Sequence, residues 1–205
     1  MVPLPVNLAM LIVISLWLAY EIDKNTKRDK KIIDDFLKRE RESFTTRKAD
    51  ISHLPKVTLP DNFPYVQTSD KHLQNVQNQI KQLSTADIIN LNEMSNTDIR
   101  ITYGVANFKY LSECDSNYSK LCMLLNKFEK LLNENKLNDE RKAVLEYAVA
   151  INSDTCSIYS SLMDMYLAEN NTDKISSLIE SAKTIKTSTR KNILDVLEKK
   201  ANYPK

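Results

Sequence analysis

The stretch Cys156–Thr187, CSIYSSLMDMYLAENNTDKISSLIESAKTIKT, decides the fold. Tyr159, Leu162 and Tyr166 recur at helical spacing in its first half, and Ile175, Ile179 and Ala182 do so in its second. Between them stands Asn170-Asn171, and Asn is one of the few residues that tolerates left-handed backbone. The pattern reads as two helices joined by a short turn. When the frame slides back so that Tyr159 falls on Leu125, the same positions hold Leu125, Phe128, Leu132, Leu145 and Ala148. Slid forward by the same interval, they hold Ile193 and Val196, then Lys200 where a closing helix would turn polar. Apolar stripes in phase at a fixed period mark stacked helical hairpins.

These residues resemble the tetratricopeptide repeat, a helix-turn-helix whose consensus places aromatic, Leu, small, Tyr, small, aromatic and Ala residues at fixed offsets. Tyr159, Leu162, Tyr166 and Ala182 fill four of these positions and Ile179 takes the second aromatic one. The chain departs from the family at its small positions, which are Met163 and Glu129 in the first helices and Ile175 and Arg141 in the second. Ser153 and Thr187 replace the closing proline. The resemblance implies an inner, concave face carrying Met123, Asn126 and Lys130 in one repeat and Ser157, Ser160 and Asp164 in the next. Asn126 and Lys130 do not reproduce the carboxylate clamp of chaperone-binding members, so that ligand is not expected.

The rest of the chain is also helical in pattern. Leu73, Val76, Ile80 and Leu83 give a helix over 70–83, while 84–92 is ambiguous. Ser95-Asn96-Thr97-Asp98 reads as a capping box, opening a helix with Ile99, Tyr103, Ala106, Tyr110 and Leu111. Asp115 is expected to cap the next helix, and Asn138, Asp154, Thr172 and Ser188 later ones. The segment Ser95–Leu111 holds the one glycine of the chain, Gly104. Gly104 with Ala106 suits a close helix crossing; the alternative is a binding surface. A single glycine excludes a P-loop and a GxGxxG fingerprint, and with six prolines it disfavours a turn-rich β fold. The expected class is all-α: an N-terminal transmembrane helix followed by a helical-hairpin solenoid or an irregular bundle.

The transmembrane expectation rests on Val2 to Tyr20, VPLPVNLAMLIVISLWLAY, which carries no charge. As a helix these nineteen positions span roughly 28 Å, against a hydrocarbon core of ~30 Å. Val2 and Leu11 belong to the apolar run, and Trp17 and Tyr20 suit its interfacial end. No basic residue precedes the run, and Leu18-Ala19-Tyr20 is a poor cleavage site, so a removed signal peptide is disfavoured. Residues 24–48 hold ten Lys/Arg against five Asp/Glu. Five of the ten, Lys24, Lys27, Arg28, Lys30 and Lys31, lie directly beyond the run. The positive-inside rule then puts the N-terminus outside the cell membrane and the remainder in the cytoplasm. The same collar can attract anionic lipid.

Four segments follow: an anchor over 1–22, a charged juxtamembrane helix over 23–44, a strap over 45–68 and a helical domain over 69–205. The strap contains Pro55, Pro60 and Pro64, which disfavour helix. Ile51, Leu54, Val57, Leu59, Phe63 and Tyr65 make it too apolar for a free linker, so it is expected to lie on the body or to serve as a recognition motif.

Motif chemistry is sparse. His53 and His72 have no spaced partners for a metal, and Asp34-Asp35 and Glu113/Asp115 read as solvated or capping carboxylates. Cys114, Cys122 and Cys156 form no CxxC and read as free thiols. Beyond the collar the charge is near balance, which argues against nucleic acid as a partner. No cofactor is expected. The expected function is a non-catalytic, membrane-tethered scaffold for a protein or peptide partner. The alternatives are a structural subunit of a membrane complex or, less favoured, a small cysteine-dependent enzyme.

Overall fold

A computed structural model describes residues 4–202, and among these it contains eight helices and no strand. Helix α1 runs unbroken from Leu4 to Thr45, 42 residues, or about 63 Å. The apolar run and the charged segment beyond it form one continuous helix, as a stalk running on from the anchor would. From Leu8 to Ile22 its large apolar side chains are exposed on every side of the helix: Met10, Leu11, Ile12, Val13, Ile14, Leu16, Trp17, Leu18 and Tyr20 all face outward. Val2 lies outside the described residues. Among the described residues no helix is long and apolar enough to cross a membrane. Within α1 the uncharged run is Leu4 to Tyr20, about 26 Å of helix, and Glu21 ends it.

Only the last turns of α1 meet the body. They pack on α3 (Asn96–Tyr103) and the start of α4 (Val105–Glu134). Arg39 pairs with Asp98, and Glu40 accepts hydrogen bonds from Thr97 and from the Arg100 guanidinium, the latter at 2.9 Å. The Arg100 Nε donates to the buried Ser43 hydroxyl at 3.2 Å. Its guanidinium sits 4.9 Å from the Phe44 ring centre and 5.2 Å from that of Phe108. The chain then turns at Ala49, whose N–H donates to the Tyr103 carbonyl at 3.0 Å and whose carbonyl accepts from Asn107 at 2.8 Å.

The helix expected from Ser95 through Leu111 is broken at Gly104, at φ 85° and ψ 152°. The capping box at its start is present, with Ser95 and Asp98 bonded reciprocally. No break occurs at Asp115. Helix α4 continues through it for 30 residues, and the Asp115 carboxylate instead accepts the Leu91 N–H at 3.0 Å, tying down the loop that precedes α3. The expected cap of its own helix is thus a tether to a loop 24 residues away in sequence.

Residues 46–70 carry no helix and cross the body with turns at 52–54 and 61–62. Phe63 is buried and stacks on Phe128 at 6.1 Å, with the Tyr147 ring edge-on at 5.6 Å. The buried Gln77 of α2 (Lys71–Leu83) meets Val66 twice: its Oε1 accepts the Val66 N–H at 2.7 Å and its Nε2 donates to the Val66 carbonyl at 3.1 Å. Tyr147 donates to the Thr58 carbonyl at 3.1 Å, and the Val57 N–H reaches the Ile88 carbonyl at 2.8 Å.

The remaining helices are α5 (Asn138–Ala150), α6 (Cys156–Ala168), α7 (Thr172–Thr184) and α8 (Arg190–Asn202), each of 13 residues. Their N-caps are Leu137, Thr155 and Asn171 for α5 to α7, one residue from the positions expected. One interval governs their placement. It separates the starts of α5 and α7 at Asn138 and Thr172, the starts of α6 and α8 at Cys156 and Arg190, and the ends of α4 and α6 at Glu134 and Ala168. The turns repeat at the same interval. After α4 the Leu137 N–H bonds the Leu132 carbonyl at 2.9 Å; after α6 the Asn171 N–H bonds the Tyr166 carbonyl at 3.0 Å. The residue before each donor, Lys136 and Asn170, is left-handed at φ 59° and 52°. Leu125, Tyr159 and Ile193 are all buried, and so are Glu129, Met163 and Leu197.

Candidate binding face

Helix α4 presents two faces along its second half. One, with Leu121, Leu125, Phe128 and Leu132, is fully buried against α2 and α5. The other carries Lys120, Met123, Lys127 and Lys130, all exposed, Met123 at 64%. Among the described residues none of these three lysines has an ion-pair or hydrogen-bond partner, whereas Lys142, Lys174, Lys186 and Lys200 are each paired with a carboxylate.

The six residues implied for the inner face fall into three groups. Asn126 and Ser157 meet directly, the serine hydroxyl donating to the amide oxygen at 2.7 Å, which joins α4 to α6. Ser160 and Asp164 are joined through Lys200 of α8, which donates to the Ser160 carbonyl at 3.1 Å and to both Asp164 oxygens at 2.6 Å. Met123 and Lys130 touch neither group through a hydrogen bond and face outward. The sequence reading passed over Lys120 and Lys127, although Lys120, Lys127 and Lys130 lie on one side of a helix by spacing alone.

Two of the positions where the chain departs from the repeat consensus, Glu129 and Arg141, are paired in space. Glu129, 3% exposed at its side chain, accepts from the Arg141 Nε at 3.0 Å; one repeat later the equivalent positions are Met163 and Ile175. An ion pair in one hairpin thus stands where the next has an apolar pair.

On the opposite side, Tyr166 of α6 donates to Glu146 of α5 at 2.8 Å, and Lys174 of α7 reaches the same carboxylate at 2.7 Å. Partial burial alone would raise Glu146, but the hydrogen bonds from Lys174 and Tyr166 and the nearby Lys142 charge outweigh it and hold the carboxyl below the ordinary glutamate value. The Tyr166 phenol is pushed up by burial and by its bond to Glu146.

Cys114 and Cys122 are buried, and burial pushes both thiols above the ordinary cysteine value. Cys156 is half-buried. His53 and His72 are exposed, and among the described residues no cluster of three His, Cys, Asp or Glu side chains is placed to hold a metal ion. No protein-family model, curated protein or solved structure matches this chain.

Proposed function

We propose that this protein is a membrane-tethered scaffold: a helical-hairpin, tetratricopeptide-like body that binds a protein or peptide and is held at the inner face of the cell membrane by α1. The observation that carries the binding part is the recurrence, at one constant interval, of helix ends, turn hydrogen bonds and buried positions from α4 to α8. Stacked hairpins of this kind bury one side of each first helix and leave a continuous strip of the other side open, which is a surface for a ligand rather than a reaction centre. Here that strip carries the exposed Met123 and its lysines. The membrane part is supported by the all-round apolar exposure from Leu8 to Ile22, since a helix apolar on every side is stable only inside a core or a bilayer.

A cysteine enzyme is the weaker reading, because a nucleophilic thiol needs a lowered pKa and access, and Cys114 and Cys122 have neither. A photo-crosslinking amino acid placed at Met123 in cells tests the scaffold reading, with the same group at the exposed Lys183 as the control. A discrete adduct from position 123 alone is expected. Equal labelling from both positions, or none from either, would sink the proposal. The bare apolar surface of α1 favours a second reading, a structural subunit whose anchor makes the main contacts. Exchange of the anchor for an unrelated span separates the two, because it abolishes assembly only under that second reading.

A further inference from the structure

A cavity of about 490 Å³ opens between the strap, the loop preceding α3, the α5–α6 turn and the α7–α8 loop. That volume lies in the ~300–1,000 Å³ range of ligand pockets. None of its lining residues belongs to α4, which carries Met123. Its lining is amide-rich and holds one oppositely charged pair, Lys186 and Glu93. Asn90, Asn92 and Asn152 line it, and among the described residues none of their side-chain NH2 groups has a partner. The Tyr103 hydroxyl, also lining it, has none either. Met94 and Leu54 supply apolar wall, and the Lys186–Glu93 ion pair at 2.9 Å joins the loop preceding α3 to the α7–α8 loop.

The body shows elsewhere what such amides do. It holds its own strap by side-chain carboxamides: Gln77 grips both backbone groups of Val66, Gln74 donates to the Thr68 carbonyl, and Asn107 donates to the Ala49 carbonyl. A carboxamide offers a donor and an acceptor side by side, which matches the N–H and C=O of one extended residue. We propose that this cavity binds an extended peptide segment of a partner, its main chain held by Asn90, Asn92 and Asn152 and one apolar side chain seated against Met94 and Leu54. The proposal rests on the scaffold reading and gives its partner a chemical form: an extended, main-chain-read segment and not a charged helix.

The test uses the full chain in nanodiscs of uncharged lipid. The probe is a pool of capped seven-residue peptides with a photo-reactive leucine at the centre and random neutral flanks. Crosslinks are expected on 90–94, Tyr103 and 184–187. A second pool, N-methylated on alternate residues, removes main-chain donors and should crosslink there at least five-fold less. The variants are chosen to keep the fold. Asn152, at φ 59°, becomes Gly. Asn90, whose Oδ1 accepts the Asn92 N–H at 3.2 Å, becomes Asp, which keeps that acceptor and loses the donor. Asn92 becomes Ala. The triple variant should lose the crosslinks with an unchanged thermal midpoint. Equal labelling by the N-methylated pool, or labelling that survives the triple variant, overturns the proposal. Crosslinks that gather on Met123 and Lys130 overturn it while sparing the scaffold reading, and crosslinks nowhere count against both.

Discussion

Gly104 is where one residue type decides whether the rod and the body join. A Cβ built there would stand 2.3 Å from the Arg47 carbonyl oxygen and 2.9 Å from the Lys48 Cα, both backbone atoms that cannot swing aside. Its φ of 85° with ψ 152° belongs to a region that only glycine populates freely. Gly104→Ala is therefore expected to lose at least about 1–3 kcal/mol from strain alone, read as a fall in denaturant midpoint. The sequence suggested a close helix crossing at Gly104, but the neighbour is the non-helical backbone of residues 47–48, and nothing local encodes a contact so distant along the chain. The buried pair Glu129–Arg141 makes a second residue-scale prediction. Arg141→Ala leaves the Glu129 carboxylate buried without its partner and should cost about 3–5 kcal/mol. Glu129→Met with Arg141→Ile copies Met163 and Ile175 of the next hairpin and should come out neutral or more stable, by up to about 1–4 kcal/mol. If the double variant were as unstable as Arg141→Ala, the equivalence of the two hairpins at this crossing would be wrong.

Helices with strong stripes were legible: the spacing of Leu73, Val76, Ile80 and Leu83 marked α2, and all four are buried. What misled was polarity inside a long helix. Asp115 looked like a cap because caps and loop-tethering carboxylates share the same residue type, and only the position of Leu91 distinguishes them. The turns carry their own prediction. Lys136 and Asn170 occupy the same left-handed site in successive hairpins, where an L-residue other than Asn or Gly is disfavoured. Lys136→Gly should stabilise the α4–α5 turn by about 0.5–1 kcal/mol, while Asn170→Gly should change little. Chemical denaturation at constant m-value distinguishes them. The Tyr166–Glu146–Lys174 cluster ties α5, α6 and α7, and its pH dependence follows from sign. Because the folded carboxyl of Glu146 lies below its unfolded value of 4.5, its contribution is complete above that pH and fades as pH falls through the folded value. Glu146→Gln should flatten the acid limb of the stability curve below about pH 4.5, and since both partners are more than a third exposed the effect is only about 0.2–1 kcal/mol.

At the scale of the whole molecule the body and its tether are joined by a junction stiff enough to fix one against the other. Arg100 bonds Glu40 and Ser43 and lies between Phe44 and Phe108, and Ala49 is pinned from two sides, so α1 leaves the body in a set direction. The clamp was not legible: a stalk running on from the anchor could be read, but an unbroken helix of alternating charges looks the same whether its end is held or free. Under the membrane-tether proposal, the orientation of α1 sets which compartment the body faces. Lys24, Lys27, Arg28, Lys30 and Lys31 follow the apolar run and all lie on exposed helix, free to remain on the side from which the chain inserts. Charges close to one flank of a span set its orientation, and acidic residues such as Glu21 and Asp23 contribute little. The body is therefore expected in the cytoplasm. Ser69→Cys places a thiol at an exposed position just before α2, and Cys156→Ser removes the half-buried native one. In intact cells this variant should resist a membrane-impermeant maleimide and react only after permeabilisation. Reaction in intact cells would place the body outside, where a peptide site built from Asn90, Asn92 and Asn152 would meet extracellular rather than cytoplasmic chains.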